Sequence, residues 1–124
     1  MMGKRILLID DDELLNDVLA DFLELSGYDV VQAGNGRIGL ERLADSAPFD
    51  IIVLDLLMPE MDGVRFLNAL SETGRTPPPV LVLSASATAN VVESLDFPCV
   101  VGIVRKPIQP PALLDRLSAH LDKG

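Results

Sequence analysis

Four short aliphatic runs in this chain each lead straight to residues that carry chemistry. Ile6-Leu7-Leu8-Ile9 leads into Asp10-Asp11-Asp12, and Ile51-Ile52-Val53-Leu54 into Asp55. Val80-Leu81-Val82-Leu83 leads into Ser84, and the run from Val100 to Val104 into the pair Lys106-Pro107. Such runs read as buried parallel strands. In an open α/β sheet the loops beyond the carboxyl ends of the strands share one edge and form the binding crevice. Carboxylates from the first and third runs, a hydroxyl and an ammonium are therefore expected to converge there. Carboxylates bind a hard cation, and a cation, a hydroxyl and a lysine together suit a phosphoryl group.

The rest of the chain alternates with these runs. Strands are predicted at 5–9, 29–33, 50–54, 80–83 and 100–104, and helices at about 13–26, 37–46, 63–73, 88–95 and 111–122. In the first helix Leu14, Leu15, Val18, Leu19, Phe22 and Leu23 make one apolar face at helical spacing. Asp12 is placed to cap its start, and Gly27 to take the left-handed position after its end. Asn35-Gly36 signals a turn before the second helix, and Gly39 inside that helix is expected to weaken it by about 1 kcal/mol relative to Ala. Pro77-Pro78-Pro79 closes the third helical unit, and Leu113, Leu114, Leu117 and Leu121 give the last helix its core face. Strands alternating with helices in this way predict an α/β fold, a doubly wound five-stranded parallel sheet with five helices. No repeat, low-complexity tract or long linker interrupts it, so residues 1–124 read as a single domain with its core at about 4–122.

Bulk properties exclude several roles. The net charge of −9, with only 10 Lys and Arg residues scattered along the chain, argues against a nucleic-acid or anionic-membrane surface. No apolar run approaches the roughly 20 residues that cross a bilayer. The opening Met1-Met2-Gly3-Lys4-Arg5 leads directly into a strand and does not read as a secretory signal. The one cysteine, Cys99, fits a reducing compartment, and a cytoplasmic location is expected. His120, the only histidine, lies on the last helix and reads as a surface residue. Cys99 has no basic partner that would make it reactive.

The acidic run and Asp55 need more than a local explanation. Acids at a helix start suit the positive end of its dipole, which accounts for Asp12 and Glu13. Asp10 and Asp11 continue the strand and are left over. A charge ending a wholly apolar strand, as Asp55 does, is costly unless solvated or paired. The stretch Asp55-Leu56-Leu57-Met58-Pro59-Glu60-Met61-Asp62-Gly63 resembles the phosphoacceptor segment of the response regulator receiver domain of two-component signalling. Ile9-Asp10-Asp11-Asp12 and Lys106-Pro107 resemble the same family in the same order and spacing, and the resemblance covers about 4–122.

The resemblance implies a flavodoxin-like sheet in the order 2-1-3-4-5 with helices on two faces. It implies that Asp55 accepts a phosphoryl group, that Asp11 binds Mg²⁺ directly and Asp10 mainly through water, and that the backbone carbonyl of Leu57 is a further ligand. Ser84 and Lys106 stand at the family's hydroxyl and lysine positions, and a cis Lys106-Pro107 bond is implied. Physical chemistry supports these roles. Three clustered carboxylates repel, and Mg²⁺ with Lys106 relieves that and keeps Asp55 ionised. Phosphoryl transfer needs in-line positioning and charge neutralisation, which the cation and Lys106 supply, while the Ser84 hydroxyl and Ala85 amide are placed for phosphoryl oxygens.

The expected function is a phosphorylation-controlled switch, not a conventional enzyme, with self-catalysed transfer and hydrolysis. A sensor histidine kinase or histidine phosphotransfer protein would be the donor. An effector protein or fused output domain would be the reader, through the last two helix–strand units, and phosphorylation-dependent homodimers fit the same scheme. The chain departs from the family at Ile103, where an aromatic residue usually precedes the lysine by three positions. It departs again at 88–95, a short helix with adjacent valines running into Pro98, and it lacks the family's Gly-Ala near Cys99-Val100. Ile103 keeps alive an alternative, a pseudo-receiver that binds partners without phosphorylation. A phosphohydrolase of the haloacid-dehalogenase type would need Asp-x-Asp, and the order here is Asp55-Leu56-Leu57. A flavin site would need a first loop rich in Gly, Ser or Thr where this one is acidic.

Overall fold

The computed structural model describes residues 4–45, 48–56, 63–74, 76–84 and 97–121. The elements run β1 (Arg5–Ile9), α1 (Glu13–Leu25), β2 (Asp29–Ala33), α2 (Gly36–Asp45), β3 (Ile51–Asp55), α3 (Gly63–Ser71), β4 (Val80–Ser84), β5 (Val100–Arg105) and α4 (Pro110–Leu121). Each falls within two residues of the sequence expectation. The helix expected at 88–95 lies outside the described residues.

The five strands form one parallel sheet in the order β2-β1-β3-β4-β5, which is the flavodoxin-like order. Successive side chains of a strand point to opposite faces, and here both faces are covered. Leu7, Ile9, Ile52, Leu54 and Val82 pack with Phe66 and Leu67 on the α2–α3 side. Ile6, Leu8, Ile51, Val53, Leu81 and Leu83 pack with Leu19, Leu23, Leu113 and Leu117 on the α1–α4 side. That double burial is why β1, β3 and β4 read as unbroken aliphatic runs, while the edge strands β2 and β5 are partly exposed.

Local signals set the element ends. The Asp12 side chain accepts from the Leu15 N–H at 3.0 Å and caps α1. Gly27 has φ +101° just past α1, where a side chain would be strained. Asn35 Oδ1 accepts from the Ile38 N–H at 2.8 Å at the start of α2.

Two features depart from expectation. The apolar face of α1 is rotated from the one the leucines suggest. Asn16, Leu19, Ala20 and Leu23 are buried, while Leu14 and Val18 are 75% and 48% exposed. The Asn16 amide turns inward to reach backbone carbonyls at the sheet edge, and the helix turns with it. The second departure is in β5. Val80 pairs with Val100 but Leu81 with Gly102, so Val101 is an extra residue facing solvent. This bulge moves every later residue of β5 by one position, and Arg105 pairs with Ser84.

Candidate functional site

The chain leaves β1 outward to β2 and returns to β3 on the other side of β1, so the strand order reverses between β1 and β3. Crevices form at such reversals, beyond the carboxyl ends of the strands. Asp10 and Asp11 follow β1 there, Asp55 ends β3, and Ser84 ends β4.

Asp10 is almost wholly buried, and each of its polar groups is engaged. Its N–H donates to the Ala33 carbonyl at 3.1 Å, and its own carbonyl accepts from Asn16 Nδ2 at 2.9 Å. Its Oδ1 accepts from the Asp12 N–H at 2.9 Å, and its Oδ2 lies 3.3 Å from Lys106 Nζ. Asp55 is buried too, with Oδ1 at 3.5 Å from the same ammonium. Asp11 is exposed at the mouth.

Lys106 follows β5, with its N–H donating to the Ser84 carbonyl at 2.8 Å, and the Lys106-Pro107 peptide is cis as the resemblance implies. The β5 bulge sets which face of the sheet its side chain leaves from. Partial burial pulls the Lys106 ammonium down, but the charges of Asp10 and then Asp55, with their hydrogen bonds, push it further up. The net result is a pKa above the ordinary lysine range, so Lys106 is a firm cation beside the acids. Ser84 is buried at the end of β4, beside them.

One carboxylate oxygen from each of Asp10, Asp11 and Asp55 can be chosen so that all three lie within 4.8 Å of one another. Oxygens sharing one Mg²⁺ at about 2.1 Å lie about 3–4.2 Å apart, so this trio fits with little movement or with one bridging water. All three donors are hard oxygens, the kind that Mg²⁺ and Ca²⁺ take. The structure thus brings together Asp10, Asp11, Asp55, Ser84 and Lys106 as expected. Leu57, Ala85 and Ser86 lie outside the described residues. His120 and Cys99 take no part in the trio, and burial raises the Cys99 thiol more than a backbone hydrogen bond lowers it.

Sequence reasoning missed Asn16. Its signal was present, a single amide on a helix face otherwise made of Leu and Ala, four residues after the cap. It missed the bulge as well, for which Gly102 inside an aliphatic strand was the sign.

Comparison with known proteins fits this geometry. A family model described as the response regulator receiver domain matches residues 6–118. The chemotaxis protein CheY of Thermotoga maritima is 34% identical over 121 residues, covering 94% of this chain and 97% of that one. A probable transcriptional regulatory protein of Picosynechococcus sp. is 39% identical over 90 residues, 68% of this chain but 36% of that longer protein. The structure of Vibrio cholerae chemotaxis protein CheY4 aligns with a TM-score of 0.85 at 27% identity, over 98% of this chain and 100% of that one.

Proposed function

The chain belongs to the response regulator receiver domain family, and from that premise we propose that it is a Mg²⁺-dependent phosphoacceptor switch with Asp55 as the acceptor. The observation that carries this reading is the ammonium of Lys106 set between the buried carboxylates of Asp10 and Asp55, with Asp11 at the mouth. Asp10, Asp11 and Asp55 would hold the cation, with the Leu57 carbonyl as a further ligand by resemblance. When bound, Mg²⁺ neutralises charge on the phosphoryl oxygens and orients them.

The chain's own groups carry the remaining chemistry. A carboxylate oxygen of Asp55 attacks the phosphorus of a donor phosphohistidine. The phosphorus–nitrogen bond breaks, its electron pair stays on the imidazole, the imidazole takes up a proton from solvent, and an acyl phosphate forms on Asp55. Lys106 pairs with a phosphoryl oxygen, and the Ser84 hydroxyl donates to another. Burial of Asp55 keeps bulk water from solvating the nucleophile and strengthens both contacts. Later attack by a water on the phosphorus breaks the acyl phosphate and returns the carboxylate.

The donor would be a sensor histidine kinase or histidine phosphotransfer protein, and the reader an effector protein or an attached output domain. Homodimerisation on phosphorylation belongs to the same proposal, as does a cytoplasmic location. No described helix is long and apolar enough to cross a membrane. The pseudo-receiver alternative gains nothing from the geometry. Ile103 packs against the core on the α2–α3 side, and Asp10, Asp55 and Lys106 are assembled with no aromatic at that position.

The test is intact-mass measurement after incubation with a small phosphodonor, with and without Mg²⁺. The expected result is gain of one phosphoryl group only with Mg²⁺, and none in Asp55→Asn. A wild type that gains nothing, or an Asp55→Asn variant that gains as much as wild type, overturns the reading.

A further inference from the structure

Asn16 is the one polar residue among the buried positions of α1. Asparagine is a poor helix former, because its amide competes with the backbone for hydrogen bonds. Its Nδ2 donates to the Asp10 carbonyl at 2.9 Å and reaches the Ala33 carbonyl at 3.4 Å. Both neighbours are acceptors, so only the NH₂ group can face them, which fixes the orientation of the amide. Its Oδ1 is buried with no hydrogen-bond partner among the described residues. An amide left half unsatisfied costs stability that a leucine or alanine at the same place would not.

What the amide holds is the peptide that joins the two metal-site acids. The Asp10 carbonyl lies in the same rigid plane as the Asp11 nitrogen and Cα. The Asp10 N–H is already tied to Ala33, so that end of the residue is fixed. The bond from Asn16 fixes the other end, the rotation about the Asp10 Cα–C bond. With both ends held, the positions of the Asp11 nitrogen and Cα are set. The bond from the Asp12 N–H to Asp10 Oδ1 at 2.9 Å ties down the peptide on the other side of Asp11, so its side chain leaves from a backbone held on both sides although Asp11 itself is exposed.

We propose that Asn16 is a positioning residue that aims the Asp11 carboxylate at the cation shared with Asp10 and Asp55, and so sets the Mg²⁺ affinity of the site. This rests on the proposed function above, in which those acids bind Mg²⁺. Partners of metal ligands typically change metal affinity by about 10–100-fold when removed.

The experiment is Mg²⁺ titration followed by NMR shifts, without phosphodonor, on wild type, Asn16→Leu, Asn16→Ala, Asp11→Ala and the Asp11→Ala/Asn16→Leu double variant. Urea unfolding without Mg²⁺ is measured on the same proteins. Both Asn16 variants are expected to raise the Mg²⁺ dissociation constant about tenfold. The urea midpoint of Asn16→Leu is expected to change little, because loss of the unpaired Oδ1 offsets the loss of the donor to the Asp10 carbonyl. In the double variant the effect of Asn16→Leu is expected to vanish, because its route through Asp11 is gone. Unchanged affinity with a lowered midpoint would assign Asn16 a purely structural role and overturn the proposal, as would full additivity in the double variant. If Asn16→Leu does not fold, Asn16→Ala, which introduces the best helix former, decides the affinity arm alone. A wild type that binds no Mg²⁺ removes the premise, whereas a wild type that binds beside variants that bind equally well overturns the role of Asn16 only.

Discussion

The ammonium of Lys106 stands 3.5 Å from Oδ1 of Asp55, and it divides its charge between that group and Oδ2 of Asp10 at 3.3 Å. It therefore supplies positive charge to the two buried carboxylates. Removing it leaves buried carboxylates without their counter-charge, yet it also removes a positive charge that repels an incoming metal. Lys106→Met is expected to destabilise the metal-free domain by about 1–3 kcal/mol, towards the lower end because the ammonium is partly exposed. Mg²⁺ binding is expected to tighten, while phosphorylation from a small donor slows. Urea unfolding with and without Mg²⁺ separates these effects. A variant that is destabilised equally in both conditions would show that Lys106 and the metal do not compete.

Gly39 gives a case in which the helix argument and the packing argument have opposite signs. Propensity alone favours Gly39→Ala by about 1 kcal/mol. A Cβ at that position would lie 2.6 Å from Ile9 Cδ1 and 3.2 Å from Phe66 Cε1. Both side chains are fully buried, so neither has free space to move into. Overpacking of this kind costs about 1–3 kcal/mol, so Gly39→Ala is expected to lower stability by roughly 1 kcal/mol net. The readout is the urea midpoint, and an increase would show that the α2–β1 contact relaxes freely.

Most of this architecture was legible because its signals are local and repeated. Each central strand is apolar on both faces, each ends on or leads directly into a polar residue, and capping residues such as Asp12 stand where helices begin. Asp10, Asp11, Asp55, Ser84 and Lys106 could be placed together because strand ends share an edge in any parallel sheet. Contacts that depend on where one element meets another were not legible. Leu14 and Val18 looked like core because apolar spacing does not reveal which side of a wide stripe is buried. Asn16 decides that, through carbonyls far from it in sequence, including that of Ala33. The bulge at Val101 likewise depends on pairing between strands: Gly102 marks its place in β5, but the shift itself is defined only against β4.

Cys99 should be slow to react. Burial raises its thiol above the ordinary value, so the thiolate that attacks electrophiles is scarcer in the folded chain than in the unfolded one. Alkylation by iodoacetamide at pH 8 is expected to be slower for the native protein than for the protein in urea, with the native rate rising at a higher pH. The linkage to stability has a definite sign. A thiol whose folded pKa is raised costs nothing below its unfolded value, and stability falls as pH rises from that value through the folded one. Cys99→Ala should flatten that alkaline loss, and an unchanged pH profile in the variant would assign the loss to other groups.

If Asp55 is the phosphoacceptor proposed above, the outward face of α1 is the surface next to the approach of a protein donor. Leu14 and Val18 are one turn apart, exposed, and begin only three residues after Asp11 at the mouth of the site. Leu25, 89% exposed, extends the stripe, and the exposed acids Glu13, Asp17, Asp21 and Glu24 flank it. A donor carrying phosphohistidine must rest close enough to bring its phosphorus within bonding reach of Asp55. An apolar ridge with a basic rim on that donor would match this face in both hydrophobicity and charge. Glutamate at exposed helical positions that touch little changes stability by no more than about 0.5 kcal/mol. Leu14→Glu/Val18→Glu is therefore expected to keep the urea midpoint and the rate of phosphorylation by a small donor. Transfer from a phosphorylated histidine kinase or phosphotransfer protein should fall at least tenfold, since burying each such side chain contributes roughly 1.5–3 kcal/mol. The two donors are compared on the same preparation, which separates docking from chemistry. Equal loss with both donors would place the defect in the site, and no loss with either would remove α1 from the docking surface.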